Sequence, residues 1–435
     1  MSLAAHLLEK LAPWRAAPAW KVAFSGGLDS TVLLHLLANQ SGRDSYPPLS
    51  ALHVQHGLQA AAEAWPAHCE RVCAALGVPL GVMRVDVTPG ASLEQAARVA
   101  RYGAFEAALA PGELLLTAQH RDDQAETLLF RLLRGAGVRG LAAMPTSRPL
   151  GRGVLMRPLL DVDRGELERY ARAHRLDWVE DPSNQDAQPS RNYLRLQVLP
   201  LLQARWPRVS ASLARSAAHL REAEALLGEL ARLDLEAARQ PSRWPWLELP
   251  SLPLAPLATL TPARQRNALR HWLAAFTPLP DSDHWAGWDD LRDAAADAAP
   301  VWRLARGALH RSDGRLWWLA GPWSNDPPAP QAWPGEQARL SLPGNGALSW
   351  QGDAPAGPWE VRYRLGGERL DLPGRGRRDL KRLLNEAGLP AFVRGRLPLL
   401  YRDGRLLAVA NLPGLDRVPG EAARLRWTPP RGDEV

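Results

Sequence analysis

The stretch KVAFSGGLDSTVLLHLL, residues 21–37, constrains the fold more than any other part of the chain. A short apolar run ends in Ser25-Gly26-Gly27-Leu28-Asp29-Ser30, and an apolar helical pattern starts directly behind it. A strand that turns through glycines into a helix offers free N–H groups to an anion. Gly26 and Gly27 remove Cβ atoms where the backbone must turn and approach that anion, and Ser25 and Ser30 add hydroxyls. The Gly-Lys-Ser/Thr ending of the common P-loop is missing. Without its lysine, the natural ligand is a pyrophosphate unit on its way out. Asp29 would repel that unit unless a cation stood between them, which implies Mg²⁺. An ordinary Gly-Gly turn is the plainer alternative.

The surrounding pattern places this loop in an α/β domain with a parallel, Rossmann-like sheet. Strands are expected at 21–24, 50–55, 80–87 and 113–118, and helices at 29–39, 61–76, 92–109, 122–133 and 163–174. Ser92 and Gln95 form a capping-box pattern. Strands separated by helices imply right-handed crossovers, with ligands beyond the C-terminal strand ends. The first twenty residues read as a helix and not as a signal peptide.

Past Pro207, Leu213, Leu220, Leu227 and Leu230 share one face, so 208–240 reads as one long amphipathic helix. A helix at 262–276 and a hairpin around Ser312-Asp313-Gly314 follow. The Pro-rich 324–336 reads as a linker. Strands near 359–365 and 405–410 and a helix at 378–387 form the last module. The expected organisation is a catalytic domain at 1–205, a mostly helical substrate-binding domain at 206–325 and a small basic α+β domain at 337–430.

No apolar run approaches the roughly 18 residues needed to span a bilayer, and the chain reads as cytoplasmic. Only Cys69 and Cys73 are present, which rules out a disulfide framework. Their i, i+4 spacing, with His68 beside them, suits buried small hydrophobes on a helix far from the other motifs. The net charge of +7 favours a polyanionic partner. From Glu360 to Arg426 there are 15 Arg/Lys against 8 Asp/Glu, a concentrated surplus suited to RNA phosphates.

The second dense stretch is TAQHRDDQAETLLFRLLRGAGVRGL, residues 117–141. Asp122, Asp123 and Glu126 fall in the first turns of a helix, with Asp123 and Glu126 on one face and His120 at the strand end. Alone, such acids merely complement the helix dipole. Beside a phosphate loop they are placed to bind Mg²⁺ or a small cationic substrate. Glu94, Arg98 and Arg101, with Tyr102 adjacent, line one face of their helix and either pair internally or present arginines to an anion.

Ser-Gly-Gly-x-Asp-Ser in this setting is similar to the signature of the PP-loop ATP pyrophosphatases, which adenylate an oxygen of their substrate. The longer run resembles the tRNA(Ile)-lysidine synthetases, and other pieces agree in order: HVQHGLQ with His56 (53–59), RPLL (157–160), WVEDPSNQDAQPSRNYLRLQVLP (178–200) with Arg191, Asn192 and Arg195, and the arginine-rich 366–401. Gln119, Gln59 and Pro189 stand where that family usually has His, Arg and Tyr.

The resemblance implies ATP-dependent joining of free L-lysine to the wobble cytidine of tRNA(Ile), through an adenylated cytidine, with ATP and Mg²⁺ required. It implies that Ser25–Ser30 and His56 hold the nucleotide, with Asp29 on the metal. Asp29, His120, Asp122, Asp123, Glu126, Arg191 and Arg195 would carry the chemistry. Asp123 and Glu126 would attract the lysine cation, Arg191 or Arg195 would bind a carboxylate or phosphate, and Glu94, Arg98 and Arg101 would assist substrate binding. A homodimer is compatible with this reading. The rivals are a PP-loop tRNA thiolase, which needs reactive cysteines, and a non-catalytic tRNA-binding protein with a relic nucleotide site.

Overall fold

A computed structural model describes all residues except 1, 41–45, 57–63, 88–92, 280–282, 296–297, 335–336, 373–375 and 433–435, and the side chains of 93, 94 and 283. Gln59 and Ser92, and the side chain of Glu94, therefore lie outside the described residues. The chain divides into two compact units, 1–226 and 227–435.

The first unit is built on a six-stranded sheet of order β3-β2-β1-β4-β6-β5. Its strands are β1 (Trp20–Ala23), β2 (Leu49–Gln55), β3 (Leu80–Arg84), β4 (Leu114–Leu116), β5 (Ser147–Leu150) and β6 (Gly153–Met156). All neighbouring pairs are parallel except β5, which returns antiparallel on β6. The helices are α1 (Leu3–Leu11), α2 (Leu28–Ala38), α3 (Trp65–Leu76), α4 (Leu93–Ala108), α5 (Arg121–Leu132) and α6 (Arg164–Ala173). The β5–β6 hairpin went unforeseen, because Ser147-Arg148-Pro149 carries no apolar alternation.

Strand period explains the layers. On β4, Leu114 and Leu116 enter the core that holds α2 and α6, while Leu115 enters the opposite core with Phe105 of α4 and Leu109 just behind it. The chain runs outward from β1 to β3 and then returns to β4 on the other side of β1. That reversal opens a crevice at the C-terminal ends of β1 and β4, the usual place for a ligand in such sheets.

Behind α6, Pro189 begins a helical run of α7 (Ser190–Tyr193), a π-helical turn (Leu194–Val198) and α8 (Leu199–Arg205). Proline suits the position just ahead of a helix, since its carbonyl accepts from Tyr193 N at 2.9 Å and its missing N–H costs nothing there. The long amphipathic helix exists as α9 (Val209–Ala237).

In the second unit, the strand Arg315–Leu319 is buried along its whole length. Leu316 and Trp318 face one core with Leu269, Trp288 and Trp302, whereas Trp317 and Leu319 face another with Trp350, Trp359 and Trp427. Its hairpin turns at Asp313 (φ 52°) and Gly314 (φ 66°), the two left-handed residues of a tight turn. Besides the helices, this middle part carries a four-stranded antiparallel sheet with that hairpin at its centre.

Two expectations are corrected. Arg378 lies in the exposed strand Gly376–Asp379, and the helix begins at Leu380, where Asp379 caps it by accepting from Arg382 N at 3.2 Å. The 324–336 stretch is not a free linker. Gln331–Trp333 pairs with Trp359–Arg362, and Trp333 is 0% exposed and stacks on Trp350 at 5.5 Å. Proline content masked a strand held by one large side chain. Trp333→Ala should therefore cost about 3–5 kcal/mol of stability, read by chemical denaturation; a true linker residue would cost almost nothing.

Candidate active site

The phosphate loop is shaped by its own hydroxyls. Ser30 Oγ donates to Gly27 O at 3.0 Å and sits 3.0 Å from Ser25 Oγ, while Ser25 N donates to Ser30 Oγ at 3.3 Å. Gly26 has φ +80°, and a Cβ there would lie 3.1 Å from Cys69 Sγ and 3.3 Å from His68 Cδ2. Gly27 caps α2 in extended conformation without any side-chain cap, so the first N–H groups of the helix stay available to a ligand. Val179 N donates to Gly26 O at 2.9 Å and clamps the loop from the 178–181 segment.

Cys69 thus lies against the loop and not, as its sequence position suggested, far from the motifs. Burial pushes its thiol up to about 12, with Cys73 and Glu70 adding to the effect, and burial pushes Cys73 up to about 11. Both thiols stay protonated at neutral pH, which fits packing groups and not nucleophiles. Cys69 Sγ is 3.5 Å from His53 Nδ1, which is itself 2.9 Å from Phe24 O.

At the end of β4, His120 caps α5. Its Nδ1 accepts from Asp122 N at 3.3 Å, so the neutral ring carries its proton on Nε2. That nitrogen faces Asp29 Oδ2 at 3.6 Å and Asp123 Oδ2 at 3.5 Å. Asp123 closes the capping box by accepting from His120 N at 2.9 Å. The ring joins the phosphate loop to the acidic helix. Gln119 accepts from Thr117 Oγ1 at 2.5 Å, and its amide nitrogen remains a donor.

Arg191 and Arg195 reach back to α5. Arg195 grips Glu126 with Nε–Oε1 at 2.6 Å and Nη2–Oε2 at 2.9 Å, and Arg191 Nε donates to Glu126 Oε2 at 3.1 Å. Both arginines also approach Asp123 Oδ1, at 3.4 and 3.3 Å. Asp123 and Glu126 therefore sit in a neutral quartet, and Asp122 is the carboxyl of this helix with no partner among the described residues.

Asp29 and Asp123 are driven apart. Burial raises the Asp29 carboxyl, Asp123 adds to this, and His120, Arg164 and Arg195 oppose it without winning. Burial also pushes Asp123 up, but His120, Arg191, the His120 N–H and Arg195 outweigh it and hold Asp123 below the ordinary range. Asp29 Oδ1 is buried and has no hydrogen-bond partner among the described residues. An orphaned carboxylate oxygen at the mouth of a phosphate loop fits Mg²⁺, which typically takes one or two protein carboxylates and completes its shell with phosphate and water. Among the described residues, no group of three or more His, Cys, Asp or Glu side chains is arranged to hold a metal ion by itself.

His56, beyond β2, accepts from Arg101 Nε at 3.0 Å and Nη2 at 2.8 Å, leaving a buried Nδ1 without a partner among the described residues. Burial first, then Arg101 and His53, lower it to about 4, so it is neutral at pH 7 and offers Nδ1–H to a ligand. Arg98 turns instead toward Tyr102, 4.8 Å from its ring centroid. The Val179 clamp acts through its backbone and left no mark in the sequence.

A parallel sheet with a lysine-free phosphate loop and an acidic cluster at the switch point is the architecture of the PP-loop class. A family model described as a PP-loop domain matches residues 2–202, a TilS substrate binding domain matches 252–317 and a TilS substrate C-terminal domain matches 359–427. The chain is 64% identical over 434 residues to the tRNA(Ile)-lysidine synthase of Pseudomonas aeruginosa, covering 99% of this chain and 98% of that protein. It is 62% identical to that of Pseudomonas fluorescens over 434 residues (100% and 98%) and 45% to that of Alkalilimnicola ehrlichii over 425 residues (93% and 92%). The chain belongs to the tRNA(Ile)-lysidine synthase family.

The two aspartates predict opposite pH behaviour. Asp123 is depressed in the folded chain, so its stabilisation is complete above the ordinary carboxylate range and is lost as pH falls through the lower folded value. Asp29 is raised, so its ionised form burdens the metal-free fold at neutral pH. In thermal denaturation without Mg²⁺, Asp29→Asn should raise the midpoint at pH 7, and Asp123→Asn should lower it.

Proposed function

We propose that this chain joins free L-lysine to C2 of the wobble cytidine of tRNA(Ile), consuming ATP and releasing AMP and diphosphate. The observation that carries the reading is the His120 bridge, which puts the phosphate loop and the acidic–arginine quartet in one crevice. Family membership over the whole chain supports the substrates.

The chemistry follows from the groups present. ATP lies with its β and γ phosphates on Ser25–Ser30, against the free N–H groups of α2. Asp29 would hold Mg²⁺, which would supply charge neutralisation where the diphosphate leaves. The cytosine O2 attacks the α phosphorus, diphosphate leaves, and an adenylated cytidine forms. The lysine amine then attacks C2 and AMP departs.

Lysine is both cation and carboxylate, and the quartet offers both complements. The substrate carboxylate competes for Arg191 or Arg195 in bidentate fashion, which frees Asp123 and Glu126 for an ammonium. The attacking amine must lose a proton. His120 has its lone pair on Asp122 N and its N–H toward Asp29 and Asp123, so it orients the carboxylates, and Asp122 is the group left to accept the proton.

Three functional parts, 1–205, 206–325 and 337–430, remain our division of labour, the last gripping tRNA phosphates. The exposed strand Gly376–Asp379, with Arg377, supports that grip. The buried thiols argue against sulfur transfer. No helix among the described residues is long and apolar enough to cross a membrane.

Incubation with ATP, Mg²⁺, labelled lysine and tRNA(Ile) should give AMP and label on the tRNA. ADP as product, or AMP without incorporated lysine, would overturn the reading. Arg195→Lys, which keeps the charge but loses the fork, should lower incorporation roughly 100-fold.

A further inference from the structure

The arginines around Tyr102 belong to neither the phosphate loop nor the quartet. Arg98 of α4 lies over the Tyr102 ring at 4.8 Å, with Nη2 3.5 Å from the phenol oxygen, and Arg148 of β5 lies over the same ring at 5.1 Å. Arg157, immediately after β6, is 3% exposed and bonds the phenol as well. Its Nη1 donates to Pro145 O at 2.8 Å, yet its buried Nε has no acceptor. Among the described residues, the hydrogen bond of Arg148 goes to the Pro149 carbonyl, at 3.0 Å. No carboxylate among the described residues pairs with these three guanidinium groups.

Such a gathering is costly in the free protein. Burial pushes Tyr102 up, but Arg98, Arg157 and Arg148 outweigh it and hold the phenol below its ordinary value. Burial lowers Arg157, and Arg148 and Arg98 lower it further against the pull of Tyr102. Charge of one sign, ordered on an aromatic ring and without a carboxylate partner among the described residues, is the preparation a bound anion requires.

Position selects the anion. Arg157 follows the C-terminal end of β6, and Arg148 pairs with Leu155 across the hairpin. β6 is the second strand from β1, so the cluster stands about 10 Å across the sheet from the phosphate loop at ~4.8 Å per strand. The triphosphate of ATP already has the loop and the α2 N-terminus. A chain of phosphodiesters running along the same sheet edge would meet guanidinium edges at intervals, each suited to two oxygens of one phosphate.

We propose that Arg98, Arg148 and Arg157, gathered around Tyr102, bind a phosphodiester of the RNA strand flanking the cytidine at the reaction centre. This rests on the RNA substrate of the proposed function. The site would hold the anticodon loop in register over the phosphate loop, independently of any grip by the C-terminal part.

The test uses the full chain and a tRNA(Ile) transcript, with binding measured by fluorescence anisotropy over a salt series and the KM for ATP measured in parallel. Arg148→Gln and Arg98→Gln, both on the outer side of the cluster, should each weaken RNA binding roughly 3- to 10-fold and reduce the salt slope by about 1. Arg148→Lys should recover most of the slope, which a merely structural arginine would not. An unchanged slope in the folded double variant would overturn the proposal. So would a raised KM for ATP with unaltered RNA affinity, which would make the cluster a nucleotide site. Slope loss in a chain that makes no lysidine would leave this site standing and remove the proposed reaction. Unchanged slope in a chain that does make it would do the reverse.

Discussion

Glu126 is 1% exposed, and a carboxylate buried that deeply needs partners in fixed positions. It finds them in Arg191 and Arg195, 65 and 69 residues further along the chain. The requirement is strict on both sides: removing either partner type leaves unpaired charge inside the protein, typically costing about 3–5 kcal/mol. It therefore fixes where the helical run that starts at Ser190 must lie against α5. That placement in turn positions Asp123, which binds His120, which faces Asp29 on the phosphate loop. A single buried charge thus orders a crevice built from three separate segments.

The same chain of contacts separates two nearly identical side chains. Asp29 and Asp123 share His120, yet one is raised and the other lowered. The difference is the arginine pair, which lies on Asp123 Oδ1 and leaves Asp29 Oδ1 buried and unbonded. An unbonded buried oxygen destabilises the empty fold and favours a cation. The metal role proposed for Asp29 would set stability against affinity, as is common where a fold keeps a group ready for a ligand.

Reading the sequence located the elements that carry their own periodicity or punctuation. β4 is a short apolar run, Gly26-Gly27 marks a turn, and Ser312-Asp313-Gly314 closes a hairpin. It misjudged segments whose structure depends on partners far away. Gln331–Trp333 sits among prolines and becomes a strand because Trp333 fills a core, stacked on Trp350 and paired across the strands with Trp359. Arg378 has good helix propensity but pairs with Leu370 across a hairpin, and the helix waits for the Asp379 cap. Cys69 looked remote because its neighbours in sequence are unremarkable, yet α3 lays its thiol against Gly26.

By itself, the sequence determined the class of sheet, the phosphate loop and the set of charged groups, because each follows from local spacing: period two in strands, glycines at a turn, acids in a first helical turn. Only the tertiary structure decided how those charges pair. It gave the quartet its arginines, left Asp29 Oδ1, His56 Nδ1 and Arg157 Nε without partners among the described residues, and gathered three arginines on Tyr102. Pairing depends on distances between segments dozens of residues apart, which hydrophobic packing sets and local spacing does not encode.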